Sequence, residues 1–173
     1  MNDTIRTLLN RRSIRSYTDK IPDCKTLEAI LEAGTYAPNG MGAQDTMIIC
    51  VTDPEVRDTV RRLNATVTGD PNRDPFYGAP VVALVFANRE RPTHVEDGAL
   101  VTGNICNAAY ALGVDSCYIF RAKEAFESEE GRKLAKSWGV PDNYIGVGTA
   151  ILGYHKGDFP KPAPRKANFV KII

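Results

Sequence analysis

Three guanidiniums and a hydroxyl stand within five residues at Arg11-Arg12-Ser13-Ile14-Arg15. Arginine meets phosphate oxygens in a planar fork, and a phosphate monoester carries about −1.5 to −2 charge, so these residue types suit a phosphate. If the stretch is extended, side chains 11, 13 and 15 share one face and Arg12 points away. The other reading of the same residues is a solvated basic turn. A second segment, Ala37-Pro38-Asn39-Gly40-Met41-Gly42-Ala43-Gln44, puts two glycines, an Asn and a Gln into one loop. Its backbone can approach a planar ligand and hydrogen-bond the ligand's edge, although an ordinary structural turn has the same composition. Gly40-x-Gly42 and Gly146-x-Gly148 are not dinucleotide fingerprints, because Asp45 and Ile151 stand where the third glycine belongs.

Other catalytic patterns fail. Glu127, Glu129 and Glu130 lie in a charged helical stretch and read as a solvated face. No Gly-x-Ser-x-Gly elbow supports a serine nucleophile. The cysteines at 24, 50, 106 and 117 form no CxxC pair, and His94 and His155 have no companion at ligand spacing, so neither zinc nor a disulfide framework is expected. Cys117 on an apolar strand reads as a small hydrophobe and Trp138 as a packing anchor. The 22 basic residues against 21 acidic ones leave a net charge of +1, which argues against nucleic acid or a membrane surface as partner. Any anion site must therefore be local. No long apolar run suggests a membrane span or a signal peptide, and a cytoplasmic setting with reduced thiols is expected.

The elements that must position these residues follow from caps and periodicity. Asn2 or Asp3 starts a short helix bearing Ile5, Leu8 and Leu9, and Pro22-Asp23 opens another with Leu27, Ile30, Leu31 and Gly34 on one side. Thr46 to Val51 reads as a strand buried on both faces, and Asp53-Pro54 caps a helix through Val56, Val60 and Leu63. Residues 66 to 78 are loop, and Val81 to Phe86 is a second buried strand. A long Gly/Ala-rich helix from Val95 to Leu112 implies close approach of another element. Asp115 to Phe120 is a strand, Lys123 to Ser137 a charged helix, and Ile145 to Leu152 another strand. The chain of 173 residues is expected to be one domain, residues 1–173, with four or five strands among helices. Its tail from Tyr154 has prolines at 160, 162 and 164 and ends in the β-prone Phe169-Val-Lys-Ile-Ile173, which either adds a strand or embraces a second subunit.

Taken in order, these segments resemble the nitroreductase family of FMN-dependent oxidoreductases. Arg11-Arg-Ser-Ile-Arg-Ser-Tyr17 is similar to its Arg-x-Ser-x-Arg/Lys entry, and Ala37 to Gln44 to its Ala-Pro-Ser-x-x-Asn-x-Gln loop. Gly78-Ala-Pro80 before a valine strand, Asp97-Gly-Ala-Leu through Asn104 to Ile119, Leu152-Gly-Tyr154 and Pro164-Arg165-Lys166 match further pieces in order. The resemblance implies an α+β fold, three-layer α/β/α around a central mixed, mainly antiparallel sheet, in an intertwined homodimer with FMN at the interface. It assigns Arg11 and Ser13 to the FMN phosphate, with Arg165 joining them, and places Arg12 and Lys166 beside that clamp. Arg15 falls on the residue reaching the pyrimidine edge of the flavin. Pro38, Asn39, Gly40 and Gln44 fall on the loop that the partner lays against the ring, and Ile119, Phe120 and Arg121 on the strand end near it. Gly42 and Asp45-Thr46 depart from the family pattern, as do Phe120-Arg121 where a glycine is common. A basic residue ahead of the central strand is not evident in Arg73-Asp-Pro-Phe-Tyr-Gly78.

The resemblance implies an FMN enzyme in which NAD(P)H is co-substrate and a nitroaromatic, quinone or similar small molecule is acceptor, by a ping-pong cycle. Arg15 would stabilise charge on the reduced ring, and no side-chain nucleophile is required. The rival readings are a flavin-fragmenting or dehalogenating member of the same fold, and a flavin-binding module without turnover.

Overall fold

A computed structural model describes all residues, 1–173. The elements in order are α1 (Asp3–Asn10), α2 (Cys24–Thr35), a 3-10 turn (Gly40–Gly42), β1 (Thr46–Val51), α3 (Pro54–Val67), β2 (Val81–Asn88), α4 (His94–Ala111), β3 (Asp115–Ile119), α5 (Ala122–Glu127), α6 (Glu129–Ser137) and β4 (Tyr144–Gly153). Side-chain caps start the early helices where the sequence places them. Asn2 accepts from the amide of Ile5, Asp23 from Thr26, and Asp53 from Glu55 and Val56.

The strands form one sheet in the order β1-β2-β4-β3, every pairing antiparallel. The single parallel contact is an isolated bridge between Ser13 and Ser116 at the β3 edge, so the sheet is mixed only at its margin. Alternate residues of β2 serve opposite faces. Val82, Leu84 and Phe86 pack beneath α3, α5 and α6, whereas Val81, Ala83 and Val85 pack beneath α2 and α4. The result is the three-layer α/β/α arrangement. Phe86 meets Phe126 edge to face at 5.0 Å, a contact worth about 0.5–1.5 kcal/mol beyond its buried area.

Two local expectations are corrected. β1 is only half-buried along most of its length, because it is an edge strand whose outer side has no neighbour. The helix expected from Lys123 to Ser137 is two helices. Ser128 is extended (φ −65°, ψ 157°) and caps α6 by accepting from Gly131. A Cβ at Gly131 would stand 2.2 Å from the Ala125 carbonyl oxygen, so the sharp corner needs glycine there.

The tail adds no strand to its own sheet. Its root is tied beside the basic turn: Thr18 N–H donates to the Tyr154 carbonyl (2.9 Å) and Lys156 N–H to that of Ser16 (3.0 Å). Beyond it Phe169, Val170, Ile172 and Ile173 are exposed, as are Ile5, Leu8 and Leu9 on α1 and Leu100 on α4. No helix is long and apolar enough to cross a membrane.

Candidate functional site

The basic turn emerges from the end of α1 and runs along β3. Ile14 N–H donates to the Ser116 carbonyl (3.0 Å), and the buried Ile14 side chain anchors the segment in the core. Burying Ile14 places its neighbours Ser13 and Arg15 away from the core. Arg12 turns back instead, donating to the carbonyls of Leu9 and Arg11 (2.8 Å each), and closes the C-terminus of α1. Arg11 is half-buried, yet its guanidinium makes no ion pair or hydrogen bond within the chain.

Arg15 lines a small cavity of about 140 Å³ together with Cys117, Ile119, Phe120 and Arg121 from the end of β3. The strand end expected from the sequence and Arg15 therefore do meet. The opposite wall is Thr68, Arg73, Pro75 and Tyr77. Arg73 brings a cation to this cavity ahead of β2, where the sequence pattern alone made none evident. Three arginines thus line one small space that contains no carboxylate, and none of the three forms an ion pair within the chain. Three like charges around one space without a counter-charge attract an anion into it.

The local electrostatics agree. Burial pushes the Cys117 thiol up, opposed by the Ser13 hydroxyl beside it and by the charges of Arg15 and Arg11. Burial raises the Tyr17 phenol, with Cys117 and Asp115 adding to the effect and Arg15 opposing it. Both groups are neutral at physiological pH and leave the positive field of Arg11 and Arg15 uncancelled.

The backbone around this cavity is held by groups that the sequence reading missed. Asn64 on α3, 2% exposed, donates to the Phe120 carbonyl. Arg121 follows in the left-handed region at φ 78°, a conformation natural to glycine, within the Phe120-Arg121 pair that stands where the resemblance makes a glycine common. Arg61 donates to the carbonyls of Pro71 (3.1 Å) and Arg73 (2.9 Å). Arg57 pairs with Asp74 at 3.0 Å, and Asp74 in turn accepts from the amides of Phe76 and Gly78. Two arginines of α3 therefore pin the loop that carries Arg73 and Tyr77. Their helical spacing is legible in sequence, but their acceptors lie in an irregular loop with no periodic signal.

The Pro38–Gln44 loop is elsewhere. It is held by the buried Asp97 of α4, which accepts from Gly40 N–H (2.9 Å) and from the Thr93 hydroxyl (2.9 Å). Asn39 accepts from Gln44 N–H (2.9 Å), and Gln44 and Met41 both adopt positive φ. Asn39 and Gln44 line a separate cavity of about 470 Å³ with Leu31, Ala37 and Ile48. This loop feeds β1 at one edge of the sheet, whereas the basic turn lies on β3 at the other. Three strand spacings, roughly 14 Å, separate the edges, so one chain does not bring the two groups to one ligand. Arg165 is also apart: it donates only to the Ala163 carbonyl (3.0 Å), and no hydrogen bond joins it or Lys166 to Arg11 or Ser13. Glu127, Glu129 and Glu130 are exposed, and Trp138 packs on Phe126 (5.9 Å between centroids).

Comparison with known proteins bears on this geometry. Residues 8–69 match the sequence model of the nitroreductase family. An NADPH-dependent FMN reductase of Bacillus subtilis is 28% identical over 184 aligned residues, covering 95% of this chain and 70% of the relative. A nitroreductase from Bacteroides fragilis with bound FMN has the same fold over 100% of both chains, with a TM-score of 0.90 and 28% identity. An iodotyrosine deiodinase bound to FMN and 3-iodo-L-tyrosine shares the fold over 97% of both chains, at 22% identity and a TM-score of 0.71.

Proposed function

We propose that this chain, which belongs to the nitroreductase family, is an FMN-dependent NAD(P)H oxidoreductase whose acceptor is a nitroaromatic, a quinone or a similar small molecule. The observation that carries the reading is the cavity where Arg15, Arg73 and Arg121 converge with no carboxylate. Next to it the half-buried Arg11 has no acceptor of its own, an unmet donor of the kind that a bound phosphate satisfies. The residues present fit FMN on both counts, a phosphate for Arg11 and Ser13 and a ring that gains negative charge when reduced. The chemistry FMN supplies when bound is two-electron transfer from the nicotinamide to the acceptor, which we read as a ping-pong cycle.

The protein's part is binding, orientation and electrostatics. Arg11 and Ser13 hold the phosphate. Arg15, supported by Arg73, provides fixed positive charge where negative charge develops, an effect on the order of 3 kcal/mol for one well-placed donor. Asn64 and the α3 arginines keep the Phe120–Arg121 backbone and the Arg73 loop in place, so no reorganisation is needed when charge arrives.

The reading includes a homodimer. The loop with Pro38, Asn39, Gly40 and Gln44 and the basic turn lie on opposite sheet edges of one chain, and a second copy can bring its loop to the first copy's arginines. The exposed apolar tail supports the same arrangement, with Arg165 and Lys166 reaching a phosphate only when the tail wraps a partner. The whole of residues 1–173 then acts as one domain, in the cytoplasm where nicotinamide donors are supplied.

Purified protein should be yellow, with the absorbance bands of oxidised flavin, and should bleach on anaerobic titration with NADH or NADPH. A yellow protein that neither nucleotide bleaches would be a flavin-binding module. Loss of iodide from 3-iodo-L-tyrosine in place of quinone or nitroaromatic turnover would make it a dehalogenating member of the fold.

A further inference from the structure

Away from the arginine-lined cavity, a cleft of about 420 Å³ opens between α5, α6 and the start of β4. Phe86, Phe126, Ala135 and Val140 line its inner wall, each at most 8% exposed, and Tyr144 adds an aromatic flank. Three cations, Arg89, Arg132 and Lys136, stand around it with Glu127 and Asp142, a net charge of +1. None of the five forms an ion pair within the chain, although other surface charges here do, such as Lys133 with Glu129. The two guanidiniums are not free-swinging. Arg89 Nη2 donates to the Asp142 carbonyl (2.8 Å) and Arg132 Nη1 to the Glu127 carbonyl, and each keeps further N–H groups unused.

We propose that this cleft is a second binding site, for a small organic monoanion: a carboxylate on a ring-sized apolar body. Ligand pockets run from about 300 to 1,000 Å³ and combine an apolar surface with fixed polar groups; this cleft has that volume, an apolar inner wall and an outer lining that is largely charged. The apolar wall accepts the ring. Arg132 and Lys136, one turn apart on α6, face the carboxylate, and Arg89 closes the other side. Guanidiniums already tethered through one N–H lose less freedom when they engage an anion through the others. A dianion is disfavoured by Glu127 and Asp142, and a neutral ligand would leave the cations unused.

The site is independent of the flavin reading, because none of its residues is assigned to FMN. Trp138 is the only tryptophan, and its packing on Phe126 makes its emission a reporter of the inner wall. The test adds cyclohexanecarboxylate to the flavin-loaded protein, with cyclohexanecarboxamide as the neutral control, and follows Trp138 emission and the amide resonances of Ala135, Val140 and Ile145. The expected result is saturable binding of the carboxylate with a dissociation constant on the order of 1 mM or tighter. The amide should bind about tenfold more weakly, and Arg132→Gln/Lys136→Gln should weaken carboxylate binding by a similar factor. Arg89→Gln tests the opposite side of the cleft without touching α6. Flavin content and reduction by NADPH should stay at wild-type levels in both variants. No saturable response, equal binding of acid and amide, unchanged affinity in both variants, or shifts confined to the Arg15 cavity would each overturn the proposal.

Discussion

Asn64 reaches across 56 residues of sequence to donate to the carbonyl of Phe120 at 2.9 Å, and Arg121 turns left-handed immediately after it. A helix side chain thereby sets the backbone at the mouth of the arginine-lined cavity. Removing the amide in Asn64→Ala takes that donor from the Phe120 carbonyl and empties the space of a side chain that is 2% exposed. The expected loss is about 1–3 kcal/mol of stability, read by denaturant unfolding. Reduction by NADPH should slow as well, while FMN affinity changes little, because the proposed phosphate contacts are those of Arg11 and Ser13. Wild-type stability in this variant would show that the hydrogen bond does not hold the strand end.

Arg121 occupies φ 78° without being glycine. A side chain in that region costs roughly 1–2 kcal/mol, partly offset in a glycine variant by the greater chain entropy lost on folding. Arg121→Gly should therefore match or exceed wild-type stability by up to about 1 kcal/mol while removing a positive charge from the cavity. Arg121→Lys keeps the charge and the strain, so comparing the two variants separates the backbone effect from the electrostatic one.

The phosphate clamp predicts a graded series. Hydrogen bonds to a charged group are worth about 1.5–3 kcal/mol, so Arg11→Ala and Arg165→Ala should each weaken FMN binding roughly ten- to hundredfold. Arg15→Ala should slow flavin reduction by about 10²-fold, with a smaller effect on affinity. Arg12→Ala should chiefly loosen the end of α1, whose carbonyls it caps. Equilibrium titration and anaerobic stopped-flow reduction provide the two readouts. If Arg11→Ala and Arg165→Ala both bound FMN like the wild type, the clamp would be wrong.

Deleting the exposed tail after Gly157 should leave the sheet intact and remove the segment proposed to wrap a second subunit. Sedimentation is expected to show a dimer for the full chain, with an interface well above the ~1,600 Å² of a standard complex, and a monomer with little flavin for the truncated one. A flavin-loaded, fully active monomer of either form would refute the shared site.

Stability should fall in alkali for a specific reason. Burial pushes the Cys50 thiol up to about 11, from an ordinary value near 9. As pH rises from 9 to 11 the unfolded chain ionises at this position before the folded one does, so the unfolded state binds fewer protons and folding stability declines. Cys106 and Cys117 are raised by burial as well and act in the same direction. Cys50→Ala should flatten part of that decline in pH-dependent unfolding, and its stability near pH 7 is the reference. An unchanged slope would show that Cys50 does not titrate across this window.

Much of this protein is written in short stretches of its sequence. Asn2, Asp23 and Asp53 start helices because a side-chain oxygen a few residues away satisfies an amide that the helix leaves free. The unbroken apolar run from Val81 to Phe86 is a strand buried on both faces, whereas Arg11, Ser13 and Arg15 by type and spacing suit an anion or a solvated basic turn equally. Local information ends where a partner is distant. The run at Thr46–Val51 reads like that of β2, and only its edge place in the sheet leaves it half-buried. The break at Ser128 depends on how closely Gly131 meets the Ala125 carbonyl. Arg73 joins Arg15 only because Arg57 and Arg61 hold an irregular loop against α3, and Asn64 finds Phe120 only once α3 lies across the sheet. Residue type determines what a group can bind, whereas which groups share one cavity is decided by packing of elements far apart in the chain.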